Sequence, residues 1–178
     1  MESKYYRINQ DDGIGGCWWL SSPYSEGDDS VWRYVRGLPT GDKQTLLDVE
    51  EAGFPLDFTL AQFGAPVLSK KARDVLADIL SADVEFVPAK IRGVEGEFWV
   101  ANACRTIECI SEQNSVIQYK FGRKPVVIEM AIHEDAVDGC HMFRVKGWPV
   151  PLVVSSVIRQ AFLDNALTGA MFRQLIVA

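Results

Sequence analysis

Two stretches of the chain carry the clearest rhythm of apolar and polar positions. After the apolar Pro66, Val67 and Leu68 comes Ser69. Ala72, Val75, Leu76, Ile79 and Leu80 then fall at i, i+3, i+4, i+7 and i+8. This spacing puts five apolar side chains on one face of an α-helix, and Ser69 is the residue type that caps free N–H groups in a first turn. Residues 84–91 follow as a strand, in which Pro88, lacking an N–H, predicts an edge or a bulge. The last third repeats this grammar. Residues 143–146 alternate, 147–149 turn the chain, and Leu152, Val153 and Val154 lead to Ser155. Ser155 caps a second helix with Val157, Ile158, Ala161, Phe162 and Ala166 on one side. Gly169 is placed to stop it as a left-handed residue, before a strand over 171–177. The two segments align at an offset of 86: Ser69 with Ser155, Arg73 with Arg159, Asp78 with Asp164 and Phe86 with Phe172. The shared order predicts a repeated strand–cap–helix–strand unit.

The rest reads as short strands and turns. Residues 5–8 and 17–20 are short apolar runs, and 31–35 alternate weakly as a third strand. Segments 46–55 and 56–63 fit neither element, and Pro55 and Gly64 exclude a long helix there. Residues 97–103 pair with 84–91 across the 93–96 turn, and 116–121 with 126–132 around 122–125. The expected fold is α+β, a mixed, mainly antiparallel sheet with a few helices packed on one side.

Charge changes this picture. The 178 residues carry a net charge of -6, with 48% hydrophobic and 24% charged residues, an ordinary globular balance. Residues 1–65 hold eleven acids against five bases, while the remaining 13 acids and 13 bases cancel. An acidic surface of this kind repels nucleic acid and attracts a basic partner. The same region holds seven of the ten Trp and Tyr residues. Aromatic anchors beside charges make protein interfaces, so Trp18, Trp19, Tyr24, Glu26, Asp28, Asp29, Trp32 and Tyr34 are the candidate partner-binding residues. No apolar run is long enough to span a membrane, and residues 1–6 lack the charge and apolar pattern of a secretion signal; a cytoplasmic location is expected.

Catalytic chemistry leaves a fainter trace. Residues 13–16 lack the spacing of a phosphate loop, and there is no Gly-x-Ser-x-Gly elbow. His133, Glu134, Asp135, Asp138, Cys140 and His141 cluster along the chain. A metal site or a Cys/His pair is the functional reading, and a solvated loop the structural one. The adjacent Cys140 and His141 point to opposite faces of any strand, which favours the loop. Cys104 and Cys109 lack a second close ligand pair to complete a zinc site, and the four cysteines read as buried small hydrophobes. Arg73 and Arg159, near two helix starts, read as structural.

The run 64–76 (Gly-Ala-Pro-Val-Leu-Ser-Lys-Lys-Ala-Arg-Asp-Val-Leu) resembles the P-V-x-S-x-x-A-x-x-x-L segment of the bacterial immunity-protein family numbered eleven among polymorphic-toxin immunity families. The resemblance continues through 84–88, 98–102, 142–144 and 153–155 and ends at 167–172. It covers residues 54–178 apart from 111–140. It implies one domain over 1–178, with 1–53 as an acidic, aromatic subregion and 54–178 as the immunity-family core. It further implies an antidote that occludes a cognate toxin protein, with no cofactor, metal or turnover. The alternatives are a small regulatory or ligand-binding module, and a hydrolase using the 133–141 cluster.

Overall fold

The computed structural model describes residues 4–13, 15–25, 32–41, 44–119, 126–137 and 139–178. The first half contributes β1 (Tyr5–Gln10), β2 (Trp19–Leu20), α1 (Trp32–Val35), β3 (Thr45–Leu47), β4 (Val49–Glu51), β5 (Phe58–Ala61), β6 (Ala65–Ser69), α2 (Lys70–Leu80), β7 (Val84–Ile91) and β8 (Phe98–Ala103). The second contributes β9 (Thr106–Ile107), β10 (Val116–Gln118), β11 (Val126–Glu129), β12 (Ala131–Ile132), β13 (Met142–Val145), β14 (Trp148–Ser155), α3 (Ser156–Asp164), β15 (Ala170–Gln174) and β16 (Ile176–Val177). The fold is α+β, and its strands gather mainly into two five-stranded sheets, ordered β3-β7-β8-β6-β5 and β15-β1-β14-β13-β9. Each is mainly antiparallel with one parallel edge pair, β3–β7 and β9–β13.

The offset of 86 is written into this topology. In the first unit β6 and β7 flank β8; in the second β14 and β15 flank β1. Leu68 faces Trp99 on β8, and its counterpart Val154 faces Tyr6 on β1. Beyond these, β3 pairs in parallel with the end of β7 and β12 with β16. Arg92 N–H bonds the Leu47 carbonyl at 2.9 Å, and Ala178 N–H bonds that of Ile132 at 2.9 Å. Even the isolated bridges Tyr24–Leu46 and Ile110–Ile132 correspond. The two units differ in where the central strand comes from. β8 follows β7 directly, whereas β1 is supplied by the other end of the chain. Arg73 lies over the Trp99 ring at 4.3 Å and Arg159 over the Tyr6 ring at 5.4 Å, so both arginines stack on the matching central strand.

The helices α2 and α3 meet between the inner faces of the two sheets. Leu76, Leu80, Ile158 and Phe162 pack there with Phe58, Leu68, Ile8 and Val154. The outer face of the first sheet is buried under Trp18, Leu20 and Tyr34. That of the second lies under Cys109, Met130, Ile132 and Val137. Hydrogen bonds stitch the units together. Asp57 accepts from Ser69 Oγ at 2.7 Å and Thr168 N–H at 3.0 Å, while Asp83 accepts from His141 N–H at 2.7 Å. The buried Arg144 of β13 donates to the Gly64 carbonyl at 3.0 Å and the Pro149 carbonyl at 2.7 Å.

Several expectations change in detail. Residues 31–35 were expected as a strand, but 32–35 form the single helical turn α1. Pro88 is not on an edge strand. It faces Trp99 in the interior strand β7, one residue before the β3 partnership opens at Ala89, so no bond on that side is lost. Ser69 caps α2 as expected, accepting from Ala72 N–H at 3.2 Å, whereas the Ser155 hydroxyl turns to His141 Nδ1 at 2.9 Å. The left-handed residue that ends α3 is Ala166, with φ 46°, and Leu167 N–H returns to the Phe162 carbonyl. Gly169 has the expected positive φ, 92°, but stands three residues beyond that stop, where it serves a close approach: an added Cβ would collide with the Phe58 carbonyl oxygen.

Candidate functional site

The acidic, aromatic first third divides into rings that build the core and rings that face out. Trp18 and Trp19 are adjacent on an extended segment, so their side chains diverge. Trp18 is buried, its indole N–H donating to Thr59 Oγ1 at 2.8 Å and its ring tilted against Phe98. Trp19 is 41% exposed opposite Glu51 of β4. Tyr34 is buried in the core that holds Trp18. Tyr24 is half-buried, and its hydroxyl donates to Asp48 Oδ2 at 3.2 Å while accepting from Arg92. Glu26, Asp28 and Asp29 lie outside the described residues.

Trp32 has a partner that the sequence did not indicate. It is 53% exposed, and its ring centroid lies 5.7 Å from that of Phe63, which is 46% exposed. Phe63 sits in a short 3-10 turn with φ 58°, a left-handed conformation that costs a non-glycine residue roughly 1–2 kcal/mol. The neighbouring Gln62 donates to Glu50 Oε2 at 2.6 Å, tying this turn to β4. Residues 50–55 are exposed throughout and include Glu50, Glu51 and Phe54, the last 47% exposed. Trp19, Trp32, Phe54 and Phe63 therefore stand out from the part of the chain that carries the surplus acid. Sequence reasoning missed Phe54 and Phe63 because a single Phe beside a glycine signals a turn without telling which way its ring points.

Of the 133–141 cluster, Asp138 lies outside the described residues. His133 is exposed, and His141 is engaged by Ser155 through its ring and by Asp83 through its backbone N–H. Burial, reinforced by Asp83, pushes the Cys140 thiol up to about 12; burial alone pushes Cys109 up to about 11. Both are held as thiols, the poor nucleophile form. All four cysteines are free, and no group of three or more His, Cys, Asp or Glu among the described residues is placed to hold a metal.

The family model described as Immunity protein family (Imm11) matches residues 19–176. The chain belongs to the Imm11 family. No curated protein gives a significant match. The Imm11 match begins at Trp19 and so takes in most of the acidic, aromatic stretch that lay outside the resemblance seen over 54–178. Membership makes this a toxin-immunity protein and implies a cognate toxin as its partner. No helix among the described residues is long and apolar enough to cross a membrane.

Proposed function

We propose that this Imm11 chain neutralises its toxin in the cytoplasm by binding and occluding it, without turnover. In this reading the exposed Trp32–Phe63 pair docks on the toxin, and the exposed Trp19 and Phe54 are further candidate contacts. The observation that carries it is the exposed Trp32–Phe63 pair, held out on a strained turn tied to Glu50. A left-handed backbone that leaves half of an apolar ring in water returns the free chain little beyond the Trp32 contact, and such strain concentrates at binding sites. Covering the exposed half of each ring removes roughly 100 Å² from water, about 2.5 kcal/mol per ring, the scale of an interface hot spot. The acidic surplus suits a basic toxin, whose association it accelerates at low salt. Co-expression with the product of the neighbouring open reading frame tests the reading. The expected result is restored growth and a co-purifying complex; a partner that stays toxic and unbound would overturn it.

A further inference from the structure

The internal repeat allows each position in one unit to be compared with its counterpart in the other, and two counterparts differ in kind. Val87 and Val100 are buried in the outer core of the first sheet. Val100 faces Val67, as Arg7 faces Val153 in the second unit, and Val87 lies 86 residues before Arg173. The second unit therefore places Arg7 and Arg173, directly opposed across β1 and β15, where the first packs two valines. They do not enter a filled core. Both line a cleft of about 430 Å³ whose apolar walls include Val126, Ile128, Val150 and Ile176. The exposed Arg173 meets Glu129 only at 3.9 Å. Among the described residues no carboxylate pairs with Arg7, whose Nε is buried without a hydrogen-bond partner. Burial, with Arg173 alongside, holds its guanidinium below the usual value. Two like charges side by side with one loose counter-ion destabilise the empty cleft and favour an anion in it.

The edge of the sheet runs alongside. Asp11 N–H bonds Gly169 and Leu175 N–H bonds Tyr5. This register directs the backbone groups of Met171 and Arg173 to β1 and turns those of Ala170, Phe172 and Gln174 outward. β12 covers only Ile176–Val177, so among the described residues no strand pairs with the outer side of β15. An open strand edge binds extended peptide through main-chain bonds, and pockets beside it select alternate side chains.

We propose that the Arg7–Arg173 cleft binds an acidic extended segment of a protein partner, its carboxylate between the two guanidinium groups and its backbone along β15. A second copy of this chain fits poorly, because a two-fold pairing through β15 is antiparallel and brings like arginines together. The cleft is lined by residues other than Trp19, Trp32, Phe54 and Phe63, and its test needs no toxin. A random octapeptide library is selected on the full-length chain. Enriched peptides are expected to carry Asp or Glu at one position with apolar residues two places away on either side. The affinity of the best peptide is expected to fall at least tenfold on Arg7→Gln, on Arg173→Gln and on Gln174→Pro, which removes one outward N–H. The double variant Arg7→Val/Arg173→Val, copying the first unit, is expected to lose the peptide while its Tm holds or rises; a purely structural arginine pair would give a lower Tm. Failure to enrich acidic peptides, or affinities indifferent to the arginines, would overturn the proposal. So would free glutarate binding as tightly as the peptide, which would make the site one for small dicarboxylates.

Discussion

Phe63 concentrates the functional argument in one residue. Its left-handed backbone is unfavourable, its ring is half in water, and its stable contact is another exposed ring. Phe63→Gly relieves the strain but loses a ring contact worth about 0.5–1.5 kcal/mol. We expect Tm to move by no more than about 4 °C, the scale of 1 kcal/mol in a chain of this size, while toxin affinity drops at least tenfold. A thermal melt beside a binding titration checks both. Sequence could reveal only part of this site. The Trp18–Trp19 doublet shows that two adjacent rings must diverge, but not which one the core takes. Tyr34 reads as surface by its acidic neighbourhood and is buried because α1 turns it under the sheet. Phe63 was invisible, since its exposure follows from a backbone angle rather than from a pattern.

At the scale of elements, serine caps and helical spacing were enough to place α2 and α3, because both signals are local. The strand partners were less accessible. β1 completes the second sheet from the far end of the chain, so no local pattern announces it. Short α1 read as a strand because its β-branched and aromatic residues suit one. The junction between units also depends on side chains distant in sequence. Burial alone would raise the Asp57 carboxyl; hydrogen bonds from Ser69 and Thr168, with Lys71 nearby, outweigh it and hold the group below the usual carboxylate range. A carboxylate with a depressed folded value contributes stability that is fully present above its unfolded value of about 3.9 and is lost as pH falls through the folded one. Urea midpoints should therefore fall more steeply below about pH 4 in the native chain than in Asp57→Asn. The variant should already be less stable at pH 7. Parallel curves would remove Asp57 from the junction.

Across the whole molecule, the fold is two copies of one plan with different insertions. The segments after the matching Tyr24 and Ile110 bridges diverge: α1 lies in the first, and the β10–β11 hairpin in the second. Each borders a candidate binding surface, the Trp32–Phe63 pair in one unit and the arginine cleft in the other. The repeat makes a direct structural prediction. A circular permutant running 15–178, a short Gly-rich linker, then 4–12 would place β1 after β16, as β8 follows β7. It should fold with one cooperative transition, because Leu175 N–H already bonds the Tyr5 carbonyl and the ends to be joined are close. A permutant that melts without cooperativity would deny the equivalence of β1 and β8. The functional claim is tested most directly by calorimetric titration of the purified cognate toxin with the native chain and with Trp32→Ala/Phe63→Ala, at two salt concentrations. A tight complex is expected, weakened at least a hundredfold in the folded variant, about 2.8 kcal/mol at the 1.4 kcal/mol of each tenfold step. A variant that binds and protects as well as the native chain would contradict it.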